Sequence, residues 1–181
     1  SVPRRGFFVR LFSIEEMVYI FELREVLEGL AARRAAARVT DAHIKKLNSF
    51  FVHFAKQKII SDYKGYARED RRFHSFVIDV GAQEFLKSIL LTTNIISFSY
   101  QVLHSEGLVR PPNETIEEHC AVIEAIKARD SDSAEDLMRL HFKKSLAYLK
   151  REINGKEKGN GTTPVTKNNA SLMKGGDASQ P

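Results

Sequence analysis

The stretch Ala67 to Phe76, AREDRRFHSF, places an aspartate and a histidine four residues apart, at Asp70 and His74. At about 100° per residue a helix carries both side chains on one face, and Val77 and Ile78 share that face with them. An acid and an imidazole on a stripe that should face a core need a physical reason to be there. The spacing predicts a helix from about Asp62 to Val80, with Gly81 as a natural stop.

Working outward, the chain reads as helical on both sides of this stretch. Ser13-Ile14-Glu15-Glu16 has the form of a capping box and opens a helix to about Arg38, with Ile20, Leu23, Leu27 and Leu30 assigned to its buried face. Thr40-Asp41 opens a second helix through Ile44, Leu47, Phe51 and Phe54. After the Asp70 helix, an apolar helix covers about Gln83 to Ser105, followed by a loop at Gly107 and Pro111-Pro112. Thr115-Ile116-Glu117-Glu118 reads as a second capping box, starting a helix that ends near Arg129. The connection DSDS, Asp130 to Ser133, leads into a last helix from about Ala134 to Arg151. Only Phe7-Phe8-Val9, after Gly6, reads as β-like. The fold expected is therefore all-α, an antiparallel bundle of about six helices with a short N-terminal β-like piece. Residues 13–153 form the helical domain, 1–12 precede it, and the Gly-, Asn-, Thr- and Lys-rich residues 154–181 are expected to be a disordered tail.

Composition narrows the function classes. A 181-residue chain with 43% hydrophobic residues can bury one sizeable core. The net charge of +5 first suggests nucleic acid, but acids accompany the bases nearly everywhere before Asn154 and no basic block is interleaved with aromatics. The lone Cys120 excludes an internal disulfide and a thiolate zinc site within one chain, and it reads as a small core residue. No apolar run approaches a membrane span, and a cytoplasmic location is expected.

Three of the six histidines stand on apolar stripes. His119 accompanies Ile116, Val122, Ile123 and Ile126, and His141 accompanies Leu137, Met138, Ser145 and Tyr148. His119 lies eleven residues before Asp130 and His141 eleven after it. In an antiparallel hairpin turning there, both stand at one height, roughly 16 Å from the turn. With Asp70 and His74 from another helix they make a candidate site of three nitrogens and one oxygen, suited to Zn, Ni, Mn or Fe and unsuited to Ca or Mg. The bland alternative keeps each histidine as a core residue bonded to a carbonyl or carboxylate, and Asp70/His74 as a surface pair.

These residues carry a family resemblance. ELREVLEGLAARRAA (Glu22 to Ala36), DRRFH (Asp70 to His74) and EEHCAVIEAIKARDSDSAEDLMRLHF (Glu117 to Phe142) together resemble the FCD domain, the helical effector-binding domain of FadR-subfamily regulators in the GntR family. The likeness covers about Ser13 to Tyr148. It implies a bundle enclosing a pocket in which Asp70, His74, His119 and His141 hold a divalent transition metal, zinc foremost. It implies a small organic acid as effector, with its carboxylate at the metal and Arg24 as the contact beside it. Arg24 also reads as a salt bridge to Glu28 at i+4. Where relatives often carry arginines on the fourth helix, this chain has Thr93, Asn94, Ser97 and Tyr100, which favours a monocarboxylate or hydroxy acid. Gly81-Ala82-Gln83 also departs from the family's Gly-Asn-Pro. RRGFFVR looks like the last strand of a wing, so a winged helix-turn-helix would lie outside this chain and DNA would be bound only through it. A homodimer is implied as well.

Two other functions compete with a sensor. A metal-dependent hydrolase or lyase would need a positioned acid or base, and the sequence holds no His-Glu-x-x-His and no Glu-x-x-His. A metal-free helical interaction module would rest on exposed apolar residues such as Phe7, Phe8 and Phe12.

Overall fold

Ser13 opens the first helix as a reciprocal cap: its Oγ accepts from the Glu16 N–H at 3.2 Å, and its own N–H donates to Glu16 Oε2 at 3.0 Å. The computed structural model describes residues 12–104 and 108–159, with side chains at 98–104 and 156–159 outside the description. The described residues form six helices and no strand: α1 (Ile14–Arg38), α2 (Asp41–Leu47), α3 (Tyr63–Gly81), α4 (Glu84–His104), α5 (Pro112–Lys127) and α6 (Ser131–Gly159). The all-α expectation holds. Phe7–Val9 and the residues after Gly159 lie outside the described residues.

Helix α1 is the axis of the bundle, packing most extensively on α6 and α3 and also touching α4 and α5. Two glycines let it do so. A Cβ at Gly29 would meet Arg139 Cγ of α6 at 2.5 Å, and one at Gly81 would meet the Ala31 carbonyl oxygen at 1.9 Å. Gly81 thus ends α3 and also lets its last turn press on the α1 backbone. Ala31, Ala32, Ala35 and Ala36 supply a small-residue face on α1 for this approach.

The buried face of α1 is rotated from the one expected. Met17, Phe21, Arg24, Glu28 and the alanines are inside, whereas Leu23 is 42% exposed and Ile20, Leu27 and Leu30 are half-buried. The helix turns because Arg24 and Glu28 find ionic partners inside, so two charged residues take places that periodicity assigns to leucines. Cys120 is only half-buried.

Three boundaries also differ. Helix α2 stops at Leu47 and the chain continues in turns through Phe54, with Phe51 in the left-handed region at φ 58°. Phe50, Phe51 and Phe54 are nonetheless buried, so the apolar pattern located core residues without being helical. Helix α5 starts at Pro112, and Thr115 lies inside it as no cap. Helix α6 runs on to Gly159, past the expected end near Arg151.

The α5–α6 connection matches the sequence. Arg129 is left-handed at φ 60°, and the N–H groups of Arg129 and Asp130 donate to the Ile126 and Ala125 carbonyls at 3.0 Å each. This is a Schellman ending. The Asp130 carboxylate then accepts from Ser133 N–H at 3.0 Å and Ser133 Oγ at 2.7 Å, capping α6.

Candidate metal centre

The hairpin brings His119 and His141 together with ring centroids 4.6 Å apart, and His74 of α3 lies 5.4 Å from each. All three are buried, and one nitrogen from each falls within 4.8 Å of the others. Asp70, one turn before His74, places Oδ1 3.2 Å from His119 Nε2 and 4.0 Å from His74 Nε2. The four residues picked from helix faces thus converge on one place.

Each histidine has its Nδ1 engaged by a different helix. His74 Nδ1 donates to Glu28 Oε2 of α1 at 2.6 Å. His141 Nδ1 donates to Glu118 Oε2 of α5 at 2.9 Å. His119 Nδ1 is 3.0 Å from the Tyr66 hydroxyl of α3, which is 2.8 Å from Thr115 Oγ1. Thr115 Oγ1 donates onward to the Pro112 carbonyl at 3.3 Å. The carbonyl can only accept, so the chain of donors runs one way: His119 Nδ1–H to Tyr66, Tyr66 to Thr115, Thr115 to Pro112. The proton of each imidazole therefore sits on Nδ1, and each Nε2 presents a lone pair to the centre.

Electrostatics keep the rings of His119 and His141 neutral. Burial, with His141, His74 and Arg110 nearby, holds His119 well below the ordinary histidine range. Burial also lowers His141, against the opposing pull of Glu118. Burial pushes the Glu28 carboxyl up, but Arg24 and His74 overcome it and hold the group at about 2. Glu118 behaves likewise, held at about 2 against burial by hydrogen bonds from His141, Arg110 and Lys144. Neutral imidazoles are the form that binds a metal.

One atom at the centre has no hydrogen-bond partner: the buried His119 Nε2. Its near neighbour, Asp70 Oδ1, is an acceptor as well. Two acceptors facing each other at 3.2 Å repel unless a cation lies between them or beside them. The donor set, three imidazole nitrogens with one carboxylate, fits a divalent transition metal and is poor for Ca or Mg.

Beside the histidines lies a small cavity of about 30 Å³, walled by Phe21, Arg24, Val109, Arg110 and Phe142 among others. The Arg24 guanidinium stands over the Phe142 ring at 4.7 Å. Its Nε donates to Glu28 Oε1 at 2.6 Å and its Nη2 to Asn94 Oδ1 at 3.2 Å. The salt bridge to Glu28 is thus real, and it is buried at the site rather than on the surface. Asn94 reaches the site only through Arg24. Thr93 and Ser97 are buried with their hydroxyls donating to the Leu90 and Thr93 carbonyls of their own helix, and neither lines this cavity. The side chain of Tyr100 lies outside the described residues.

Four residues that contact the histidines carry little signal in the sequence. Glu28 was visible only as the i+4 partner of Arg24. Tyr66 stands on the Asp70/His74 stripe, one turn earlier, and that register could have found it. Glu118, assigned to a capping box, is instead ion-paired with the buried Arg110 and bonded to His141. Arg110 precedes α5 outside any helix, where periodicity gives no signal; it also donates to Ser145 Oγ at 3.2 Å.

Comparison with known proteins agrees with the fold. Residues 19–144 match the FCD domain family. The chain belongs to that family, as the motifs around DRRFH and EEHCAVIEAIKARD implied. It is 24% identical over 150 residues to the HTH-type transcriptional repressor RspR of Escherichia coli K12, covering 77% of this chain and 61% of RspR. It is 24% identical over 157 residues to the Nta operon transcriptional regulator of Aminobacter aminovorans, covering 86% of this chain and 71% of that one. The HTH-type transcriptional repressor NanR of Cronobacter sakazakii matches at 24% over 123 residues, with 67% and 46% covered. In fold, a GntR-family transcriptional regulator from Pseudomonas syringae pv. tomato DC3000 superimposes with a TM-score of 0.65 at 16% identity, covering 84% of this chain and 62% of that one. These relatives are transcriptional regulators and not enzymes, and the chain spans about three-fifths of the length of RspR. No helix among the described residues is long and apolar enough to cross a membrane.

Proposed function

We propose that this chain is the effector-sensing domain of a GntR-family transcriptional regulator, in which Asp70, His74, His119 and His141 hold a divalent transition metal, zinc foremost, beside a pocket for a small carboxylate. The observation that carries the reading is the contact of two acceptors, His119 Nε2 and Asp70 Oδ1, at 3.2 Å in a site whose imidazoles are each oriented from outside. A metal there supplies a Lewis-acid docking point for a carboxylate oxygen.

Charge balance supports a monoanion. Arg24 is matched by Glu28 and Arg110 by Glu118, while Asp70 offsets half the charge of a dication. One net positive charge remains at the centre, which suits a monocarboxylate or hydroxy acid. Arg24, held toward the cavity by Glu28 and Asn94, is the side chain placed to receive it. The cavity of about 30 Å³ has room for an ion and a water or two. An organic acid therefore enters only as Arg110 or its neighbours Leu108 and Val109 shift. Such a shift, next to the ion pair that orients His141, would give effector binding its differential affinity for two states. DNA would be bound through a winged helix-turn-helix outside this chain, in a homodimer whose two sensor states set the spacing of the DNA-binding domains.

The test is metal content by plasma mass spectrometry on protein purified without a His-tag, beside His119→Ala/His141→Ala. About one equivalent of a transition metal, absent from the variant, is expected. Metal-free wild type whose melting ignores both chelator and added zinc would sink the site. Small monocarboxylates screened by thermal shift against the loaded protein then test the pocket.

A further inference from the structure

Glu28 is completely buried, and each of its oxygens has a separate task. Oε2 receives His74 Nδ1–H at 2.6 Å, and Oε1 receives Arg24 Nε–H at 2.6 Å. His74 faces the metal centre, whereas Arg24 faces the cavity and is held from its far edge by Asn94 at 3.2 Å. One carboxylate on α1 therefore stands between the two parts of the site. We propose that Glu28 is a positioning residue for the metal centre, fixing the proton of His74 on Nδ1 and raising the donor strength of Nε2, with Arg24 holding the other carboxylate oxygen in place inside the core. This inference rests on the metal-centre reading above.

The physical argument is asymmetry. A fully buried carboxylate that served only to neutralise Arg24 would gain by turning both oxygens to the guanidinium, since paired parallel bonds are the strong geometry for that couple. Glu28 instead gives Arg24 one oxygen, through Nε, and commits the other to an imidazole. An anionic acceptor behind an imidazole strengthens its other nitrogen as a ligand, and loss of such a partner typically weakens metal binding about 10- to 100-fold. Of the other two histidines, His141 also has an anionic partner, but Glu118 divides its charge among Arg110, Lys144 and His141. His119 has a neutral one, Tyr66. Glu28 is the anion least shared with solvent, so the effect falls most strongly on His74.

The experiment measures zinc affinity by competition with a chromophoric chelator, and the visible spectrum of the cobalt-loaded protein, for wild type, Glu28→Gln, Arg24→Gln and the double variant. The double variant removes both charges together and so leaves no unpaired guanidinium in the core, which guards against a single variant that fails to fold. Zinc affinity is expected to fall about 10- to 100-fold in Glu28→Gln and in the double variant, with a changed cobalt spectrum, and to stay within about threefold in Arg24→Gln, whose amide can still donate to Glu28. Wild-type affinity and spectrum in the double variant would overturn the proposal. So would an equal loss in Arg24→Gln, which would make Glu28 no more than half of a structural ion pair. Wild type that binds neither zinc nor cobalt would instead refute the metal centre itself.

Discussion

Tyr66 decides which nitrogen of His119 carries the proton, because its hydroxyl accepts from Nδ1 and passes its own hydrogen toward Thr115 and Pro112. In Tyr66→Phe that acceptor is gone. The imidazole then gains by moving its proton to Nε2, where Asp70 Oδ1 stands 3.2 Å away and can accept after a small turn of the ring. The apo protein thereby recovers much of what it lost, and its stability should fall by only about 1 kcal/mol. Metal binding must reverse the tautomer, so affinity should fall about tenfold or more. Chelator competition and metal-free denaturation curves separate the two effects; unchanged affinity would show that Tyr66 does not orient His119. At this scale the clustered residues were legible because Asp70, His74, His119 and His141 occupy apolar stripes. Their partners were not, since Glu28, Glu118 and Arg110 have residue types that surfaces also use, and only three-dimensional neighbours distinguish a buried ion pair from a solvated one. Phe51 illustrates the same limit: it stacks on His119 at 4.9 Å and 6°, in a backbone conformation no pattern of hydrophobicity announces.

Among the elements, the α5–α6 hairpin does most to assemble the site, and its turn was readable because Asp130 and Ser133 are capping residues. Equal spacing of His119 and His141 about that turn put them at one height, as the structure confirms. The turn was not written with its best residue. Arg129 is exposed, at φ 60°, at the place where a Schellman ending favours glycine. Arg129→Gly should stabilise the protein by about 1 kcal/mol by relieving the left-handed backbone, raising the melting temperature by roughly 2–4 °C. A fall in melting temperature would mean that the arginine side chain contributes more than its backbone costs. Gly81 is the opposite case, since Gly81→Ala would drive a methyl group into the Ala31 carbonyl and should be among the more damaging single changes in the bundle. The element boundaries that misled, at Phe54 and Thr115, are those where a local signal competed with tertiary packing. Phe51 and Phe54, at helical spacing from Leu47, proved compatible with turns once their side chains could reach the core.

For the whole molecule, the charges at the centre make stability depend on pH in a direction that can be worked out. His119 and His141 have folded pKa values below the unfolded value of 6.5, so below that pH the unfolded chain binds more protons and the folded state loses ground. Glu28 is held at about 2 against an ordinary 4.5; its contribution is complete above pH 4.5 and is lost as pH falls toward 2. That carboxylate alone accounts for about 3 kcal/mol, to order of magnitude. Both effects have the same sign: metal-free protein should be flat in stability between about pH 7 and 8 and weaken in acid, first with the histidines and then with the carboxylate. A metal held as proposed would add a second slope in the same direction. Bound only by the folded state at about a thousand times its dissociation constant, it contributes about 4 kcal/mol, or roughly 8–16 °C in melting temperature for a chain of this size. Protons compete with it for the same Nε2 lone pairs, so the gap between melts with zinc and melts with chelator should be widest near pH 7–8 and should close as pH drops below about 6. Melting curves recorded in pairs across that range check both slopes. Superimposed curves with zinc and chelator at every pH would leave the acid weakening to the buried imidazoles and Glu28, and would return Asp70 and His74 to the role of a core pair.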